Sequence, residues 1–389
     1  MNRQQNSTPQ KRGCETVVVG GGVVGLSVAF ELHRRGADVV VVEAAVPGGG
    51  TTRVAGGMLA PVGELDFGEG ALLELSLTSA GLYPGFVERI EAAADSEIGY
   101  RRPGALHVAL DRDEAAELKR ALELQLAHGF NSRWLGPGAS RELEPGLSPG
   151  LNGSILVEGD GVVDPRALSS ALLSALENEG VPVLTGTAVT GLTTDGSRAS
   201  GVVLADGSVI AANAVVAAIG AESGRCSWLP EADRPPVRPV KGQVLELRGD
   251  PEDPVCSRIL ASERVYLVPR TDGRLIVGAT VEEMGYDRTV TAGGIHELLR
   301  EAYRLLPDVA ELGFVEATVG LRPGTPDNLP VIGHASTEGL ILATGHYRNG
   351  ILLAPVTARA VADLVEAGEP LGGPIAAASP ARFRETGTG

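Results

Sequence analysis

The stretch that most limits what this chain can fold into lies between residues 16 and 43. Thr16–Val19 is a short β-branched run that leads into Gly20-Gly21-Gly22-Val23-Val24-Gly25. A helical pattern then continues to Arg35, and Gly36 ends it. Ala37–Val42 is a second apolar run, of the kind that forms a parallel strand covered on both faces, and Glu43 closes it. Strand, glycine loop, helix, strand and acid in this order predict the first half of a dinucleotide-binding unit. The glycines let backbone amides and the positive end of the helix approach a pyrophosphate. Glu43 stands 23 residues after Gly20, where a carboxylate can accept hydrogen bonds from ribose hydroxyls and would repel a 2′-phosphate. A glycine-rich turn beside a surface glutamate is the competing reading.

Composition removes several classes. Basic residues number 33 against 49 acidic ones, and a net charge of −16 with no basic patch disfavours nucleic acid as a partner. Val17–Phe30, the longest weakly polar run, is too short and too glycine-rich to span a bilayer of about 30 Å, so no membrane contact is expected. Cys14, Cys226 and Cys256 lie far apart with no CxxC spacing, which predicts neither a disulfide framework nor a metal site and fits a reducing cytoplasm. With 53 glycines and few aromatic residues, packing is expected to rest on aliphatic side chains and many tight turns.

Further along, Gly70–Ala94 has helical spacing with an expected interruption near Gly81 and Pro84, and Ala105–Leu110 reads as a strand. Asp113–His128 reads as a helix with Asp111 or Asp113 at its cap, and Asp164-Pro165 opens another that runs to about Asn178. Val181–Val189, Ser200–Leu204 and Val209–Ala218 predict a small meander with Asp206-Gly207 as its turn. Pro235, Pro236 and Pro239 mark a domain crossing. Short strands at Val244–Leu247, Val265–Val268, Leu275–Ala279 and Phe314–Val319, with a helix at Gly294–Leu306, predict an antiparallel sheet with helices. Leu340–Ala343, Gly345 and a helix from Asn349 to Glu366 repeat the first motif's logic. The expected class is α/β, a doubly wound parallel sheet with a small antiparallel meander plus an α+β unit. The expected division gives 14–90, 150–235 and 322–375 to the nucleotide-binding domain and 91–149 and 236–321 to a substrate domain, with tails at 1–13 and 376–389.

Longer ordered motifs are more specific. They include Thr51-Thr52-Arg53-Val54-Ala55-Gly56-Gly57-Met58, which read alone could be a flexible surface loop, and Gly159–Pro165, Ala217–Ser223, Tyr266–Arg270 and Gly278-Ala279-Thr280. Gly320–Pro323 and Gly345–Pro355 complete the set. On these residues the chain resembles the FAD-dependent D-amino-acid oxidase and sarcosine oxidase family, above all its glycine oxidase group, which serves thiamine (thiazole) biosynthesis. The resemblance implies a split FAD domain and an inserted substrate domain whose sheet covers the flavin. By the family's pattern, Gly20, Gly22, Val23, Val24, Gly25, Glu43, Ala44, Thr51, Thr52, Gly56, Gly57, Met58, Val189 and Gly220 would touch FAD. So would His346, Tyr347, Arg348, Asn349, Gly350, Ile351 and Leu352. Related sarcosine oxidases attach the flavin through a cysteine in the segment matching Val319–Thr325, where this chain has none, so noncovalent FAD is expected.

Oxidising an amino acid to an imine needs a fixed carboxylate, a neutral amine and a Cα–H bond aimed at the flavin. Arg322 can clamp the carboxylate with two parallel hydrogen bonds, and Tyr266 can add a third. A surface ion pair and a half-buried core tyrosine are the plainer readings of these two. Arg348 sits in the turn before the last helix, where it could assist the flavin or the carboxylate, or simply cap the helix; that helix start would stabilise negative charge on the reduced flavin. No general base is evident. His346 is the only histidine in the site segments, and His33, His107, His128, His296 and His334 read as ordinary. Two positions depart from the family: Val281 replaces a methionine and Arg264 a histidine, which implies room for sarcosine or D-alanine beside glycine. The expected activity is oxidative deamination with O2 reduced to hydrogen peroxide in a cytoplasmic homo-oligomer, with thiazole synthase as a partner. A D-amino-acid dehydrogenase passing electrons to a quinone, and a flavin-binding scaffold without oxidase activity, are the alternatives.

Overall fold

Val17, Val18 and Val19, with Val39 to Val42, form the centre of the first sheet, and each is at most 5% exposed. At roughly 1.5 kcal/mol or more per buried valine, these strands anchor a core on each face of the sheet, Val18, Val39 and Val41 on one and Val17, Val19, Val40 and Val42 on the other. The computed structural model describes residues 12–65, 68–368 and 372–383. Strand Arg12–Val19 pairs in parallel with Val39–Val42 on one side and Val209–Ala217 on the other. Val183–Leu184 and Leu340–Thr344 extend the parallel sheet, and Val331–His334 closes one edge antiparallel. Helices Val23–Arg34, Gly70–Ala94, Pro165–Asn178 and Ala354–Ala367 share one core on one face, while Arg198–Leu204 and Val189–Asp195, which continue from Val209–Ala217 as an antiparallel meander, share a second core on the other. The fold is therefore mixed α/β, with helices on one face of a largely parallel sheet and an antiparallel meander on the other.

A second sheet runs in the order Gly313–Gly324, Arg238–Arg248, Arg274–Gly278, Tyr266–Pro269, Ile259–Ala261, Ala105–Ala109, Gly153–Val157, Arg133–Leu135. It is antiparallel except between Ile259–Ala261 and Ala105–Ala109. Helix Ala292–Leu305 covers its far face through Leu298, Ala302 and Leu305. The near face meets Val54 and Met58 of the first unit.

Caps hold as read: Asp111 accepts from the amides of Asp113 and Glu114, and Asp164 from those of Arg166 and Ala167. Other local readings shift. Gly70–Ala94 is one unbroken helix despite Pro84, because a buried stripe from Leu72 through Tyr83 to Ala94 outweighs a proline cost of about 3 kcal/mol. Pro239 lies inside a strand, opposite Pro323, a rung with no amide to leave unpaired. Val181–Val189 splits, its first part joining the parallel sheet and its last starting the meander. Gly153–Val157, within the stretch expected for the nucleotide unit, pairs in the second sheet. Residues 1–11 and 384–389 of the expected tails lie outside the described residues, while Gly373–Ala378 and Pro380–Phe383 form short 3₁₀ helices.

Candidate active site

The glycine loop is built by close approach. Gly20 has φ +112°, and a β-carbon there would lie 2.8 Å from the Ala218 carbonyl carbon. One at Gly25 would lie 3.0 Å from the Gly20 carbonyl carbon, so Gly25 lets the helix lie on the strand. At the helix start, the Val23 amide donates to Thr52 Oγ1 at 3.0 Å. Among the described residues no acceptor pairs with the amides of Gly22 or Val24, which leaves them for an anion at the positive helix end. Glu43 Oε2 accepts from the Gly21 amide at 2.6 Å and Oε1 from Ala45 at 2.8 Å. Its carboxylate is thereby fixed, with lone pairs to spare.

Thr51–Met58 is a packed segment, not a surface loop. Thr51–Val54 is a helical turn and Met58–Leu59 a strand, and Thr52, Val54, Gly56 and Gly57 are buried. Thr51 Oγ1 donates to the Leu321 carbonyl at 2.7 Å and Arg270 Nη2 to the Gly56 carbonyl at 2.7 Å, which ties this segment to the second sheet.

A cavity of about 1200 Å³ runs from the glycine loop to the near face of the second sheet. All the candidate cofactor and substrate residues named from the sequence line it except Gly25, Asn349 and Leu352. Leu352 is buried in the helical core. The last regular helix is Ala354–Ala367 and starts later than expected, but the Leu353 amide bonds to the Asn349 carbonyl at 2.8 Å, so a helical turn precedes it. Among the described residues, the amides of Gly350 and Ile351 in that turn have no acceptor, and both residues line the cavity.

Tyr266 stands on the sheet opposite Gly278, and β-carbons at Gly278 or Gly56 would overlap its ring, the latter at 2.8 Å from Cε2. Burial pushes its hydroxyl pKa up, the charges of Arg322 and Arg348 pull it down, and Glu64 pushes it up. Arg322, Arg348 and Glu64 line the same cavity as the phenol. Arg322 Nη1 donates to the carbonyls of Thr280 at 3.1 Å and Lys241 at 3.4 Å. Arg348 Nη2 lies 3.9 Å from Glu64 Oε1. Val281, at 62% exposure, is at the cavity mouth, where Arg264 also stands. His346 is buried, its Nε2 is 2.9 Å from Thr357 Oγ1, and burial pushes it down to about 4, so it is a neutral structural histidine.

Sequence reasoning missed Glu64 and His107, both of which line the cavity, and Asp160 behind them. His107 reads as an ordinary strand residue because only strand pairing turns it inward. Cys226 also borders the cavity, but burial pushes its thiol pKa up and keeps it protonated.

Fold and site together define an FAD-dependent oxidoreductase, and the DAO family, FAD dependent oxidoreductase, matches residues 15–364. Glycine oxidase from Geobacillus kaustophilus is 36% identical over 355 residues, covering 90% of this chain and 93% of that protein. The chain belongs to the DAO family of FAD-dependent oxidoreductases, with the glycine oxidases. The crystal structure of the Geobacillus kaustophilus glycine oxidase superposes with a TM-score of 0.88 at 34% identity, covering 96% of this chain and 99% of that one. The bifunctional protein ThiO/ThiG of Nostoc sp. strain PCC 7120 is 37% identical over 90% of this chain, which spans 52% of that protein. The residues present fit FAD. Unpaired amides at the helix start suit its pyrophosphate, Glu43 suits its ribose, and the cavity continues past both to the Tyr266 face.

Proposed function

We propose that the protein oxidises glycine, and with it small amines such as sarcosine and D-alanine, to the imine, with O2 reduced to hydrogen peroxide. One observation carries this reading: Arg322, Arg348 and the Tyr266 hydroxyl converge on the cavity that begins at the dinucleotide cradle. When bound, FAD, held without a covalent link, supplies the acceptor for a hydride from the substrate Cα and the route of electrons to O2. Arg322 takes the carboxylate with two parallel hydrogen bonds, and Tyr266 adds its hydroxyl. Arg348 contributes a second positive charge, oriented by Glu64, and the Gly350 and Ile351 amides favour negative charge at the turn. Valine at 281 supports acceptance of an N-methyl or α-methyl group.

The likeness to one half of a ThiO/ThiG protein supports delivery of the imine to thiazole synthase. Exposed Phe314 and Val315, 53% and 48% accessible, support a homo-oligomer, which we assign to the cytoplasm. The test is anaerobic bleaching of the yellow protein by glycine, sarcosine and D-alanine, followed by a peroxide assay under air. Bleaching with peroxide formation is expected, and Arg322→Ala should keep FAD while raising the Michaelis constant steeply. Bleaching without peroxide would favour a dehydrogenase, and no bleaching by any amine would leave only a flavin-binding scaffold.

A further inference from the structure

Strand register places a second polar side chain on the sheet face that carries Tyr266. His107 pairs with Ala261, Ala261 with Tyr266, and Tyr266 with Gly278, so these four form one row across adjacent strands, and all line the cavity. Two strand spacings separate His107 from Tyr266, about 10 Å along the row. The imidazole points at Gly63, where a β-carbon would lie 2.9 Å from Cε1 and closer still to both His107 Nε2 and Asp160 Oδ2. The imidazole nitrogen and the carboxylate therefore close on the same point from two sides.

Neither group is fully satisfied by protein. Asp160 Oδ2 accepts from the Gly63 amide at 3.2 Å, while Asp160 Oδ1 and His107 Nε2 are buried with no partner among the described residues. Orphaned buried polar atoms are rare, and a single water with two to four polar neighbours is the usual remedy. Asp160 is wholly buried. Burial, then the charge of Glu64, pushes its carboxyl up to about 8, against smaller pulls downward from the amides of Val62 and Gly63 and from Arg102. Burial alone pushes His107 down to about 4, so its ring is neutral. Glu64 is itself held by Arg348 at 3.9 Å.

We propose that His107 and Asp160, joined by one bound water beneath Gly63, accept the proton that the substrate's ammonium group must lose before oxidation. This role rests on the amine-oxidase reading above. An N–H bond of the ammonium breaks and its electron pair stays on nitrogen. The proton passes through the water that His107 Nε2 orients, and that water gives up one proton as it gains one. An O–H bond forms on the Asp160 carboxylate, and the proton returns to solvent after turnover. Asp160 takes the proton only through the water and does not touch substrate, and His107 is the positioning residue that holds that water.

The test uses the holoenzyme and two readouts. In wild type, kcat/KM for glycine should rise with pH through an ionisation near 8, and an infrared carbonyl band of a protonated carboxyl should titrate with it. Asp160→Asn should abolish that band. It should also lower kcat/KM about 10²-fold at pH 7.5 while leaving it within about threefold at pH 10, where much of the free amine is already neutral. His107→Gln keeps an acceptor and should retain the rising limb with a loss below about tenfold. An Asp160→Asn profile that superimposes on wild type overturns the proposal, and so does a wild-type enzyme without the band. If Asp160→Asn fails to fold, the infrared titration of wild type and the His107→Gln profile decide. Flavin that glycine never bleaches at any pH sinks the substrate reading and this role together, whereas bleaching with coincident profiles sinks the proton pair alone.

Discussion

Replacing Gly242 by alanine tests whether Arg322 works because it is placed, not merely because it is present. Gly242 lies on strand Arg238–Arg248, and a β-carbon there would stand 2.5 Å from Arg322 Cζ and nearer still to both terminal nitrogens. Carbon contacts settle at about 3.5–4.0 Å, so the guanidinium must retreat by about 1 Å or more. It is the far end of a flexible side chain and can retreat without moving the strand, in which alanine is preferred to glycine by about 0.5–1 kcal/mol. The fold is therefore kept while the grip is lost. The 3.1 Å bond to the Thr280 carbonyl breaks, and a misplacement of about 1 Å at a substrate clamp costs about 10²-fold, or about 2.7 kcal/mol. Stopped-flow reduction under nitrogen, followed across glycine concentrations, should show kcat/KM down about 10²-fold, mostly through KM, with the flavin spectrum intact. An unchanged KM would refute the reasoning, as would a loss of activity that merely tracks loss of flavin.

Glu43→Arg removes the acceptor that fixes the Gly21 and Ala45 amides and sets a cation beside them. FAD affinity should fall about 10²-fold in titrations of the apoprotein, with glycine KM unchanged in the fully loaded enzyme. Thr52→Val strands the Val23 amide and should lower the urea-derived stability by about 1 kcal/mol. Stability against pH has a worked sign. His107 and His346, pushed down from 6.5 to about 4, make the unfolded chain bind more protons between those values, so they add stability as pH rises to 6.5. Asp160, raised from 3.8 to about 8, acts oppositely, because the folded state keeps a proton that the unfolded chain has lost. From these three groups stability should crest near pH 6.5 and decline towards 8, and Asp160→Asn should remove the decline; a flat wild-type profile from 6.5 to 8 would count against a protonated Asp160.

What the sequence made legible is what local chemistry decides. The strand, glycine loop, helix and acid between residues 16 and 43 follow from side-chain periodicity and from where amides must meet an anion, and the caps at Asp111 and Asp164 from single side chains. Tyr266 and Arg322 were legible as candidates through motifs around them, and the structure sets both on one cavity. Readings failed where distant pairing overrides local preference. Pro84 argues for a break, yet packing keeps the helix whole. Glu64 and His107 carry no local signal, and Asp160, though inside the Gly159–Pro165 motif, shows no role until the fold sets it behind the cavity; His107 turns inward because Ala105–Ala109 pairs with Ile259–Ala261, a strand some 150 residues away.

That long-range placement also gives the glycine content a second meaning. From composition, 53 glycines read as tight turns. Four of them serve instead as vacated side-chain volume around the cavity: Gly278 and Gly56 admit the Tyr266 ring, Gly242 the Arg322 guanidinium, and Gly63 the His107 and Asp160 pair. Each belongs to a different segment from the side chain it admits, so a large polar group can lie in the narrow gap between loop and sheet without moving either backbone. A site built this way has an expected weakness. Adding one methyl group at Gly242 should disturb the site more than the fold, because only the end of a flexible side chain stands in the way. At Gly278 the obstacle is a rigid ring, so alanine there should cost stability as well, and thermal melts of the two variants side by side would separate the cases.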